Sequence, residues 1–189
     1  MKKLYSAIVP AIVIGLLLTA CSEEQSSTNY TQAAGTQITA EMIEQAQEAW
    51  IAALVSIGNA HAEGGDAHAA ARQVLTDYYN YPNGLVLFKP TLAFGEQTFR
   101  PTMEGALAYF VGGNDDFPND SGFALRPYVG GFVEMSDVFI HGDMAIAMSN
   151  ITLEAYDGST VMVNKTFGYV LDGGNLRIVT HHSSLPFTP

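Results

Sequence analysis

Five consecutive residues near the C-terminus, Thr180-His181-His182-Ser183-Ser184, bring together side chains that can accept, donate and relay protons. Strict alternation along a strand starting at Leu176 sets Leu176, Ile178, Thr180, His182 and Ser184 on one face, and Arg177, Val179, His181 and Ser183 on the other. Leu176 and Ile178 mark the first face as inward. Thr180, His182 and Ser184 are therefore expected to lead from an apolar floor to a cavity mouth, where convergent polar groups make a ligand site. The same residues equally suit a strand end that is simply wet. The paired histidines suggest zinc, but adjacent strand residues point to opposite faces and could share one ion only across a bulge. His61, His68 and His141 are the other candidate ligands, and the single cysteine, Cys21, lies outside the folded part.

A second grouping is Lys89-Pro90-Thr91 with Tyr109, because a hydroxyl and a phenol can both donate to a small oxyanion. Taken alone, these residues also suit a turn threonine and a core tyrosine. Asp115, Asp116 and Asp120 lack the ligand spacing of a calcium loop and are expected to be solvated. Asp137, between Ser136 and Val138, could act as a general base but reads as an outward strand position.

The elements that must position these groups follow from periodicity. Thr39 caps a helix in which Met42, Ile43, Ala46, Trp50, Ala53, Leu54 and Ile57 recur at threes and fours, with Gly58 and Gly64-Gly65 expected to break it. Asp66 caps a second helix, Ala67 to Tyr79. Leu85 to Phe88 and Glu96 to Arg100 read as two short strands, and Thr102 caps a helix from Met103 to Val111 that stops at Gly112-Gly113. Strands then follow over Phe132–Ile140, Ala145–Tyr156, Val161–Leu171 and Leu176–His182, separated by glycine-containing turns. Helices first and a meander after them imply an α+β fold: N-terminal helices packed on a curved antiparallel sheet, with a pocket between the layers.

The N-terminus has a different character. Lysines, an apolar run from Ala7 to Leu18, and Leu18-Thr19-Ala20-Cys21 have the layout of a cleavable secretory signal, with an apolar run too short to span a bilayer. The last four residues resemble a bacterial lipoprotein signal, which implies residues 1–20 as leader, lipid on Cys21, a polar tether over 21–37, and one domain over 38–189. Ser22 after the cysteine resembles the outer-membrane sorting pattern, so an exported protein anchored to a membrane is expected. The chain carries 19 acidic residues against 8 Lys and Arg, a formal charge of −11, and two of those lysines belong to the leader. Nucleic acid is excluded as a partner on this balance, since its binding rests on neutralising phosphates.

Five stretches carry a family resemblance: Leu87-Phe88-Lys89-Pro90-Thr91, Glu104 through Asn114 (EGALAYFVGGN), Gly122-Phe123-Ala124-Leu125, His141-Gly142-Asp143, and His181-His182-Ser183-Ser184-Leu185-Pro186. Together they resemble the iota class of carbonic anhydrases, whose fold is similar to the kinase association domain and to nuclear-transport-factor-like cones. The resemblance implies reversible hydration of CO2 to bicarbonate without a protein-bound metal, although some members are described with zinc or manganese. It implies a bicarbonate pocket of Thr91, Tyr109, His182 and Ser184, with Leu107, Phe110 and Ile178 on the CO2 side. The family motif has three histidines before Ser-Ser; here Thr180 stands for the first and is expected to line the pocket. The competing expectation is a lipoprotein of the same fold that only binds a small ligand or assembles. In either case an apolar outer sheet face makes a homodimer the expected state.

Overall fold

The computed structural model describes residues 37–189. The leader, Cys21 and nearly all of the tether lie outside the described residues. Thr39 caps the first helix, α1 (Ala40–Ala62), its hydroxyl accepting the Met42 N–H at 3.2 Å. The inward stripe of α1 includes Ile43, Gln47, Trp50, Leu54 and Ile57. Gly58 does not end the helix as expected. A Cβ there would stand 3.0 Å from the Ala124 carbonyl oxygen and 3.2 Å from that of Arg126, so the missing side chain serves close packing while α1 continues for another turn. Asp66 caps α2 (Ala67–Tyr78) and Thr102 caps α3 (Met103–Val111), which ends at Gly112 with φ +66°.

The sheet is open and five-stranded: β1 (Leu87–Lys89), β2 (Tyr128–His141), β3 (Met144–Ala155), β4 (Thr160–Asp172) and β5 (Asn175–Ser184) lie in the order β1-β5-β4-β3-β2. The long strands form the expected antiparallel meander. The short β1 adds to its edge in parallel with β5, pairing Phe88 with His181. Glu96 to Arg100 does not form a strand. Gly95–Gln97 coils into a 3-10 turn and Pro101 has no N–H to give a ladder, so this segment meets β1 through the Arg100 N–H to Phe88 carbonyl bond, 2.8 Å, and a longer one from Val86 to Pro101.

Two register shifts bend β2 against β3, and a third falls where β4 meets β5. The core fills the concave side, with Trp50, Tyr79, Phe88, Phe167, Tyr169 and Ile178 at most 2% exposed. Each such side chain contributes roughly 1.5–3 kcal/mol by leaving water. The convex face leaves Phe132, Phe139, Ile146, Met148 and Met162 exposed.

Candidate active site

The third register shift decides which polar residues of β5 face the core. Ile178 pairs with Tyr169 and Thr180 with Gly168, so Val179 is the extra residue of a bulge. Gly168 makes room for it: a Cβ there would lie 3.0 Å from the Cβ of Thr180. Side-chain direction slips by one residue beyond the bulge. His181 and Ser183 consequently point inward at 1% and 0% exposure, whereas His182 is exposed and Ser184 and Thr180 are half-buried. The expectation that Thr180, His182 and Ser184 share the inner face is thus corrected, because unbroken alternation does not hold along β5. The bulge precedes both histidines, so His181 and His182 still point to opposite faces.

Around Ser183 the structure assembles hydroxyls from three elements. Thr91, just after β1, lies 2.6 Å from Ser183, oxygen to oxygen. Tyr109 on α3 reaches the same turn, its phenol accepting the N–H of Leu92, the residue after Thr91, at 3.4 Å. Burial pushes the Tyr109 phenol well above its usual range, and the neighbouring Leu92 N–H and Thr91 hydroxyl only partly oppose that. Tyr109 therefore remains a protonated donor at neutral pH. A hydroxyl both donates and accepts, so Tyr109, Thr91 and Ser183 form a cluster that can hold an oxyanion, and the bonded Thr91–Ser183 pair can pass a proton. Lys89 donates to the Ser183 carbonyl at 2.9 Å. On the far side of Tyr109 opens a cleft of about 30 Å³, lined also by Leu92, Phe123 and Arg126, with room for one or two water-sized molecules.

Behind the hydroxyls, His181 stacks on Phe88 at 4.5 Å and lies 4.6 Å from Phe167, ring centre to ring centre. Both ring nitrogens are engaged: Nδ1 is 2.9 Å from the Tyr79 phenol and Nε2 is 2.8 Å from Lys165 Nζ. Tyr79 also accepts the Trp50 indole N–H at 2.8 Å. Burial, then Lys165, then His182 hold His181 well below the ordinary histidine range, so the ring is neutral.

Thr91 and Tyr109 thus meet as expected, joined by Ser183 and His181 where His182 and Ser184 were expected. Lys165, Tyr79 and Trp50 were not singled out from the sequence. Lys165 was detectable, because alternation through Val163 and Phe167 puts it on their face. Asp120 is corrected too. Rather than being solvated, it forms a 2.9 Å salt bridge with Arg100, with side chains only 5% and 2% exposed. Asp137 is exposed on β2, as read. Leu107, Phe110 and Ile178 are buried in the core. Among the described residues no three His, Cys, Asp or Glu side chains are grouped to hold a metal ion.

A helical layer over an open, bent sheet with an inward polar cluster is the architecture of nuclear-transport-factor-like domains. A putative calcium/calmodulin dependent protein kinase II association domain from Xanthomonas campestris shares it with a TM-score of 0.52 at 22% identity, over 79% of this chain and 89% of that one. The iota-carbonic anhydrase from a cyanobacterium, crystallised with bicarbonate, matches with a TM-score of 0.80 at 42% identity, over 84% of this chain and 99% of that one. The metal-independent carbonic anhydrase of Nostoc sp. is 44% identical over 153 residues, covering 79% of this chain and 75% of the relative. The family described as metal-independent carbonic anhydrase matches residues 41–185. The chain belongs to that family. Since the family is metal-independent, the zinc or manganese alternative gives way to a metal-free site.

Proposed function

We propose that the reversible hydration of CO2 to bicarbonate takes place at the hydroxyl cluster of Tyr109, Thr91 and Ser183, with His181 behind it. The chain is a carbonic anhydrase of the iota class, and CO2 and bicarbonate are its ligands. The observation that carries the siting is the junction of three elements at Thr91, where the Ser183 hydroxyl stands 2.6 Å away and the Tyr109 phenol accepts the N–H of the next residue, Leu92. The reaction needs a water held for attack and donors where charge develops on the CO2 oxygens. Tyr109 supplies a donor that stays protonated, and Thr91 and Ser183 can each hold water or bicarbonate while passing a proton between them. Phe88, Phe110 and Phe123, whose rings pack against that of Tyr109, provide the apolar side that suits CO2. Arg126, on the cleft wall, offers a positive charge to departing bicarbonate.

The test is CO2 hydration by the purified protein and by its Tyr109→Phe and Thr91→Val variants. Full activity in both variants would remove the cluster from the reaction.

Export and lipid attachment at Cys21, with residues 21–37 as tether to an outer membrane, are the reading that the leader pattern supports. Labelling with a radioactive fatty acid, lost in Cys21→Ser, tests it. A homodimer through the convex sheet face fits the exposed Phe132, Ile146, Met148 and Met162. Sedimentation of Met148→Lys, expected to shift the protein to monomer, tests that.

A further inference from the structure

Lys165 is 3% exposed on the inner face of β4, beneath α1. No carboxylate bridges it among the described residues, where the one salt bridge joins Arg100 to Asp120. The ionisable groups facing it are Lys89 from β1, His181 from β5 with His182 behind it, and Tyr79 from the segment after α2. From α1 the Trp50 ring lies 4.2 Å from Nζ, and its cross-strand neighbour on β3 is Ser149, both uncharged. A buried ammonium with no anion beside it is costly, and such a group loses its proton instead.

The hydrogen-bond directions point the same way. Trp50 can only donate, so Tyr79 accepts from it. If Tyr79 then donates to His181 Nδ1, the ring carries its proton on Nε2 and donates to Lys165, which must offer a lone pair. Trp50, Tyr79 and His181 then each donate to the next member of the chain, and Lys165, at its end, is a neutral amine whose lone pair accepts. With Lys165 charged, the ring is forced into the other tautomer, and the Tyr79 hydroxyl proton is left with no acceptor among the described residues. Burial, with Lys89 adding to it, also drives Lys165 well below the ordinary lysine range.

This amine stands beside the proposed reaction site, since Lys165 pairs directly across the β4–β5 ladder with Ser183, the residue bonded to Thr91. Opposed pairs of this kind hold their Cβ atoms about 5 Å apart. We propose that Lys165 is the base of the reaction, a neutral amine that takes the proton released when water adds to CO2. The step is R–NH2 + H2O + CO2 → R–NH3+ + HCO3−. The water oxygen bonds to the CO2 carbon, one water proton passes to Nζ, and the new ammonium faces the bicarbonate until the anion leaves and the proton follows to solvent. Taking the proton uses the lone pair that His181 had occupied, so the ammonium turns from the ring toward the product. The proposal rests on the carbonic anhydrase reading of the site and adds a base that the hydroxyls do not supply.

The experiment pairs a charge readout with a rate readout on the full chain. In protein labelled with 15N-lysine, the Nζ resonance that vanishes in Lys165→Met is expected to be that of a neutral amine at pH 7. Lys165→Met is expected to lower kcat by about 100-fold or more, the usual contribution of a general base. It should also abolish the limb of the wild-type pH profile that follows the Nζ titration. Methionine matches the stem in volume and removes only the amine, and urea unfolding of the variant checks that it folds. A charged Nζ at pH 7 overturns the proposal, as does a folded Lys165→Met variant with wild-type kcat and pH profile. A wild type with a neutral amine but no CO2 hydration overturns the base role together with the reading on which it rests, while leaving the charge state assigned.

Discussion

Replacing His181 and His182 one at a time separates the bulged strand from the regularly alternating one. His182 is exposed on the convex face, so His182→Ala should change stability by no more than about 0.5 kcal/mol. His181 is 1% exposed within an aromatic stack, and truncating a ring buried like this costs about 3–5 kcal/mol. The Tyr79 phenol and the Lys165 amine would also lose their partner, at about 1–3 kcal/mol each. Against a total stability of about 5–15 kcal/mol, His181→Ala approaches unfolding. The sharper variant is therefore His181→Phe, which keeps a ring between Phe88 and Phe167 and removes only the two hydrogen bonds. At about 2–6 kcal/mol, and roughly 2–4 °C per kcal/mol for a domain of this size, it should lower Tm by about 4–24 °C. Thermal unfolding followed by near-UV circular dichroism gives the shift, and stopped-flow CO2 hydration at 25 °C gives the rate. His181→Phe should lose most activity while still folded, and His182→Ala should retain it. The reverse result, with a tenfold or greater loss confined to a stable His182→Ala, would refute the bulge and restore unbroken alternation.

Tyr109→Phe and Thr91→Val each remove one donor from the hydroxyl chain. At about 2–4 kcal/mol per oxyanion donor, kcat should fall roughly 30- to 1000-fold with the thermal transition little changed. Asp120→Ala leaves the Arg100 guanidinium buried without its anion and should cost about 3 kcal/mol or more in urea unfolding; a loss under 1 kcal/mol would mean that the pair is solvated after all. His181 is held neutral in the fold, so as pH drops below about 6.5 the unfolded chain takes up a proton that the folded chain refuses. Stability should then fall toward acid by up to about 1.4 kcal/mol per pH unit, and His181→Phe should remove that part of the slope.

Local chemistry made much of the molecule legible in the sequence. Thr39, Asp66 and Thr102 cap the helices they were expected to cap, because a cap is a bond between residues three apart and needs nothing from the rest of the fold. The meander was equally readable, since alternation and glycine turns act within a hairpin. Thr91 and Tyr109 could be chosen by residue type and by resemblance. The inner face of β5 could not, because one extra residue at Val179 reverses every later side chain. That bulge is accommodated by Gly168 on the neighbouring strand, which has no side chain to oppose Thr180. Gly58 has the same lesson: in sequence it is a helix breaker, and in space it is where the carbonyls of Ala124 and Arg126 approach α1. The sequence by itself determined the three capped helices, the strands of the meander and part of the set of groups able to do chemistry. Only the tertiary structure decided that His181 rather than His182 turns inward, and that Lys165 is buried without an anion. Those outcomes depend on contacts between residues far apart in the chain, which local periodicity cannot encode.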